Sequence, residues 1–194
     1  SHDLRTPLTR MRLGLSMLDD EEAEPLLRDV ADMQGMLDEF LSFAKGAAEG
    51  EPEQIDPAGF VAQIVEEAQR AGRDVTLLSQ TAEGSGTIAL RPVAMRRAVD
   101  NLISNAVRYG ARAEVSVLFP DKTLRIRVED DGPGIKHHEI AKILERGVRA
   151  DQSTPGHGIG LAIVREIVQV YGGTLAIDEN KTDGTRIIIC LKHY

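Results

Sequence analysis

The stretch Asp100-Asn101-Leu102-Ile103-Ser104-Asn105-Ala106-Val107-Arg108-Tyr109 ends a run whose apolar spacing predicts a helix over 92–109. Asn101, Asn105 and Arg108 fall at i, i+4 and i+7 on one polar face, while Leu102, Ile103 and Ala106 occupy the other. Amide oxygens are hard neutral ligands suited to a magnesium ion that also holds phosphates and water. An arginine one turn on adds charge for phosphate oxygens. Read alone, the segment is most simply an amphipathic helix with solvated asparagines. Two later segments change that.

Asp130-Asp131-Gly132-Pro133-Gly134-Ile135 follows directly on a predicted strand. It offers a carboxylate where the chain turns, and glycines that let a flat ligand approach the backbone. A carboxylate accepts a hydrogen bond from an exocyclic amine such as that of adenine. Gly156-His157-Gly158-Ile159-Gly160-Leu161-Ala162-Ile163-Val164 then sets glycines at alternate positions before an apolar helix. Open amides at such a helix start favour anions, phosphates among them. It is no Rossmann fingerprint, having no preceding strand, and no Walker A loop, having no Gly-Lys-Ser/Thr. Each segment alone is weak; the three in this order and context are not.

Around them the chain alternates short strands and helices. Asp56-Pro57 is a cap followed by proline, opening a helix to about residue 71. Strands are expected at 75–79, 87–90, 113–119, 123–130, 174–177 and 185–191, with a short helix at 136–144 and a longer one at 158–170. Locally paired strands with helices between them predict an α/β sandwich whose mixed sheet is covered on one face. The class is α+β, because residues 1–46 read differently. There Leu4, Leu8, Met11, Leu15 and Leu18, then Leu26, Val30, Met33, Leu37, Phe40 and Ala44, alternate at spacings of four and three. Two such helices, over 1–19 and after the acidic turn, form a hairpin whose seam is best covered by a second copy, giving a dimeric four-helix bundle. Residues 47–55 read as a linker, and 56–194 as the second domain. His2 lies about 200° around the axis from Leu4, so it is expected to face outward while the seam faces inward. Pro7 removes one backbone donor near it and predicts a kink.

The 194 residues carry a formal net charge of −8, which argues against a general nucleic-acid binder. No apolar run approaches the roughly 18 residues of a membrane span, so no membrane contact is expected of these residues. The first residue already belongs to the helical pattern, so an upstream helix and a sensory part are expected outside the given sequence. One cysteine, Cys190, sits in an apolar strand and forms no internal disulfide, which fits a reducing compartment.

Ser1-His2-Asp3-Leu4-Arg5-Thr6-Pro7-Leu8 resembles the phosphoacceptor box of the sensor histidine kinases, with its run to Arg10 most like the osmosensor (EnvZ-like) subgroup. Residues 100–109 resemble their N box, 130–135 their G1 box, 156–164 their G2 box, and Gly184-Thr185 the final glycine box. The resemblance spans essentially the whole chain. It implies a dimerisation and histidine-phosphotransfer hairpin followed by a Bergerat-type (GHKL) ATP-binding domain. It makes His2 the phosphoacceptor, Asp3 its acid/base partner and Thr6 an aid to dephosphorylating a response regulator. Asn105 would hold Mg²⁺, with Asn101 and Arg108 near phosphate, Tyr109 near the base and Asp130 on the adenine amine. Gly132, Gly134 and Ile135 would shape the base pocket. Gly156, Gly158, Gly160 and Leu161 would line the phosphate side, and Thr185 would join the nucleotide site. Leu144 and Gly147 stand where the family has paired phenylalanines; the loop 145–158 is the implied ATP lid, with Arg149 reaching phosphate. Implied partners are a second copy and a response regulator receiver domain of the OmpR-like kind, on the cytoplasmic side of a bacterial inner membrane that anchors the whole protein. Two other readings are a degenerate kinase that uses ATP only as a conformational ligand, and an Hsp90- or MutL-like ATPase with water as acceptor.

Overall fold

A carboxylate before a proline starts the first helix beyond the hairpin. In the computed structural model, Asp56 accepts bonds from the backbone N–H groups of Ala58 (3.2 Å) and Gly59 (3.0 Å). Pro57, whose ring presets φ and needs no donor, takes the first helical position. The structure describes residues 2–17, 23–27, 30, 33–34, 50–81, 86–119, 123–136, 140, 160–178 and 184–192.

Helix α1 is His2–Ser16, with Pro7 inside it. Residues 23–27, 30 and 33–34 are helical too. Arg12 of α1 donates to the Gln34 side-chain oxygen at 3.3 Å, joining the two arms of the hairpin. Among the described residues beyond the hairpin, three helices run unbroken: α2 (Pro57–Arg70), α3 (Pro92–Tyr109) and α4 (Gly160–Val170). Each turns one stripe inward. α2 buries Val61, Ile64, Val65 and Ala68, and α3 buries Met95, Ala98, Val99, Leu102, Ile103 and Ala106. α4 buries Leu161, Ala162, Ile163, Val164, Ile167 and Val168.

Their partner is a five-stranded sheet in the order β2-β4-β5-β7-β6. The strands are β2 (Val75–Thr81), β4 (Ala113–Leu118), β5 (Thr123–Asp130), β6 (Thr174–Ile177) and β7 (Arg186–Lys192). β2 runs parallel to β4 and every other pairing is antiparallel, so the sheet is mixed as expected. The register sets Val117 opposite Ile126 and Ile126 opposite Ile189. With Leu124 and Leu191, these side chains form the buried face on which the helices lie. Burying each such side chain contributes about 1.5–3 kcal/mol, which makes this layer the main source of stability. The opposite face is polar. Arg127 donates to Ser116 (2.9 Å) and pairs with Glu129 (3.0 Å), and Arg186 links Glu129 (3.1 Å) to Asp178 (2.6 Å).

Most boundaries fall within two residues of those expected. The exception is β1 (Glu53–Ile55), which pairs antiparallel with β3 (Ile88–Leu90) as a separate ribbon. It lies inside the stretch 47–55 read as a linker, whose last three residues are therefore strand. A three-residue strand shows no period, so only its distant partner reveals it. The helix expected at 136–144 falls mostly outside the described residues, within which Ile140 is helical.

Candidate functional site

The C-terminal half of α3, the end of β5, the segment before β7 and the start of α4 converge. Asp130 is the last residue of β5 and is 9% exposed. Its Oδ1 accepts the N–H groups of Gly132 and Thr185, both at 2.9 Å, while its own N–H donates to the Thr185 carbonyl at 2.9 Å. A buried carboxylate needs such donors, and these fix its orientation as well.

Two glycines make that approach possible. Gly184 has φ +86°, and a Cβ on it would lie 1.8 Å from the Asp130 carbonyl oxygen. A Cβ on Gly132 would lie 2.5 Å from the carbonyl oxygen of Tyr109, so the turn after β5 is pressed against the end of α3. Gly134 and Ile135 continue this turn and are half-buried. Tyr109 is 39% exposed, and Arg108 is exposed beside it.

The start of α4 closes the other side. A Cβ on Gly160 would stand 3.6 Å from Asn105 Nδ2 and 3.9 Å from Asn101 Cγ, so this backbone faces both asparagines. Asn101 Nδ2 is buried and has no hydrogen-bond partner among the described residues. An unmatched buried donor beside the first turn of a helix fits an anionic ligand, since leaving it unpaired costs about 1–3 kcal/mol. Leu161, grouped with the phosphate-side residues on sequence, is buried in the core, so its side chain serves packing. Arg149, Gly156 and Gly158, with Leu144 and Gly147, lie outside the described residues. His2 and Asp3 are on α1, but their side chains are not among those described; Thr6, one turn on, is exposed.

The charged neighbours are tuned by burial and by backbone donors. Hydrogen bonds from the Ala111 N–H, then the Arg112 N–H, hold the Asp131 carboxyl below the usual carboxylate range. Burial pushes the Asp100 carboxyl up, against the pull of Arg73 and Arg96, with Glu67 adding to the rise. Tyr171, at the end of α4, accepts the Arg91 N–H at 2.7 Å and is pushed up by burial. Sequence reading passed over Asp131 and the Arg91–Tyr171 contact. For Asp131 the signal was a second carboxylate beside the first; for Arg91 there was none, as the contact spans 80 residues.

The chain belongs to the family of histidine kinase-, DNA gyrase B- and HSP90-like ATPases, whose model matches residues 90–194. Within that class it is a sensor histidine kinase by descent, since residues 1–49 match the His Kinase A phospho-acceptor domain. It is 31% identical over 192 residues to the sensor histidine kinase GtrS of Pseudomonas aeruginosa, covering 98% of this chain and 40% of that protein. To the sensor protein RstB of Escherichia coli it is 34% identical, covering 96% of this chain and 46% of that one. The chain thus spans less than half the length of these curated relatives. Its fold matches the histidine kinase domain of the E. coli osmosensor EnvZ with a TM-score of 0.60 at 29% identity, covering 75% of this chain and 91% of that one. The mixed sheet covered by three helices is accordingly the GHKL ATPase fold, with an ATP-binding domain. No helix among the described residues is long and apolar enough to cross a membrane.

Proposed function

We propose that the chain is the kinase core of a two-component sensor, which phosphorylates itself on His2 from ATP and passes the phosphoryl group to an aspartate of a response regulator. The observation that carries this reading is that Asp130, Gly132 and Thr185 meet the end of the same helix whose polar face sets Asn101 and Asn105 beside Gly160. Asp130 would accept the adenine amine. The unmatched Asn101 amide and the first turn of α4 suit phosphate oxygens, with the exposed Arg108 adding charge.

The Asn105 amide oxygen suits a Mg²⁺ ion, which would neutralise phosphate charge. Phosphoryl transfer then needs in-line placement more than covalent help. A neutral His2 ring nitrogen attacks the γ-phosphorus as the bond to the ADP oxygen breaks, and Asp3 takes the proton from the other ring nitrogen. Thr6, exposed one turn along α1, would orient water for the reverse traffic, dephosphorylation of the regulator. The partners we assign are a second copy of the chain and an OmpR-like receiver domain, at the cytoplasmic face of a bacterial inner membrane.

The test is incubation with γ-labelled ATP and Mg²⁺, scored as acid-labile label on the protein. Label on the wild type and none on His2→Ala is expected. An unlabelled wild type, or equal label on both, overturns the kinase reading. The phosphatase role is tested separately with phosphorylated regulator, where Thr6→Ala is expected to slow dephosphorylation at least tenfold. Equal rates would remove that role.

A further inference from the structure

The turn after β5 carries two adjacent carboxylates that point opposite ways, as side chains on extended backbone do. Asp130 turns inward and is nearly buried; Asp131 is exposed. The Asp131 side chain is nonetheless engaged. Its Oδ1 accepts the N–H of Ala111 at 2.8 Å and that of Arg112 at 3.0 Å, the two donors that follow Gly110 at the end of α3. Gly110 is glycine for the same reason: a Cβ there would lie 2.6 Å from Asp131 Oδ1 and 3.0 Å from the Gly132 nitrogen. On the other side of the contact, Gly132 has room for no Cβ against the Tyr109 carbonyl.

We infer that Asp131 is a positioning residue of the nucleotide site, clamping the end of α3 to the turn that aims Asp130. The inference rests on the reading of this pocket as an adenine-nucleotide site. Asp130 pairs with Ala113 in the β4–β5 ladder, and between that pair and the end of α3 the only side-chain bonds described to the connecting backbone are those of this carboxylate to Ala111 and Arg112. Without the clamp the connection over residues 110–112 loosens against the turn that follows Asp130, while the ladder pair of Ala113 with Asp130 and the buried stripe of α3 stay in place. The helix end lies in water, so the two released N–H groups are rehydrated rather than orphaned. Binding therefore responds more than folding does.

The experiment uses the whole chain and measures ATP binding in the presence of Mg²⁺ by calorimetry, together with melting temperature and amide exchange at Ala111 and Arg112. Asp131→Ala is expected to weaken ATP about fivefold, speed exchange at both amides and leave the nucleotide-free melting temperature within about 2 °C. Asp131→Asn keeps an acceptor oxygen and is expected to bind within about twofold of the wild type. Wild-type affinity in Asp131→Ala overturns the inference, and so does equal weakness in Asp131→Asn, which would make charge rather than clamping the cause. Loss of binding together with a large fall in melting temperature overturns it as well, by making the role structural. A wild type that binds no ATP would instead remove the nucleotide reading and take this inference with it.

Discussion

Helices α1 and α3 are both amphipathic, yet the chain completes one and leaves the other open. α3 sinks Met95, Leu102 and Ile103 to 1% exposure or less among α2, α4 and the sheet. On α1, Leu8 is buried at 8%, but Met11 remains 54% exposed, and on the facing arm Leu26 and Met33 are each 50% exposed. The difference lies in where partners come from. Residues 50 onward supply both layers of a sandwich and bury their own apolar faces. Among the described residues of the hairpin, Met11, Leu26 and Met33 stay half-exposed along the seam. That asymmetry is what a self-contained ATP-binding domain joined to a dimerisation hairpin would show. It also separates the effects expected of substitutions in the two regions.

The largest effect is expected at the glycine that lets the start of β7 press against Asp130. Gly184→Ala puts a methyl group 1.8 Å from a backbone carbonyl at a φ of +86°. Close contact with backbone has no flexible side chain to yield, so the loss should reach about 3 kcal/mol or more. Thermal unfolding of the purified variant checks it, with a large drop in midpoint and loss of nucleotide binding expected together. A variant that melts like the wild type would mean that the two segments are not pressed together as described.

Next in size is the hairpin seam. Met11→Glu with Met33→Glu sets charge on positions that a second copy would cover. Losing roughly 0.7 kcal/mol of burial at each of these half-exposed sites on each protomer should weaken self-association about a hundredfold. Sedimentation should show a dimer for the wild type and a monomer for the variant, with ATP affinity unchanged. A monomeric wild type would break the comparison at its root: the half-exposed seam would then need an occupant other than a second copy.

The same contrast explains what could be read without a structure. Helices 57–70 and 92–109 were legible nearly to the residue, because Asp56-Pro57, Pro92 and Gly110 carry start and stop chemistry in their own side chains or lack of them. The turns at 132–134 and Gly184 were legible as turns, Asn101 and Asn105 stood out by spacing, and Asp130 by its place at the end of a strand. The contacts that make them one site were not. Thr185 reaches Asp130 across 55 residues, and no local pattern encodes that meeting. Strand β1 was hidden because three residues have no period. Asp131 was hidden because its partners are backbone N–H groups, which every residue but proline possesses.

The smallest effect concerns Asp100, next to Asn101 and braced by Arg73 at 3.6 Å. Its carboxyl is raised above 3.8, with burial as the leading cause, so the nearby arginines do not make up for lost solvation. An acid whose pKa is raised on folding binds its proton more tightly in the native state. Below pH 3.8 the group is neutral in both states and contributes nothing to the difference. As pH climbs through the folded pKa, the ionised form weighs against folding, and that penalty stays constant at neutral pH. Asp100→Asn keeps the shape and removes the charge, so it should match the wild type in acid and exceed it slightly at pH 7. The side chain is 41% exposed and water screens its pairs, which limits the gain to a few tenths of a kcal/mol. Midpoints measured in urea across that pH range would reveal the crossover. A variant less stable than the wild type at pH 7 would show that the arginine pairs outweigh burial, making α2 and α3 an electrostatic joint as well as an apolar one.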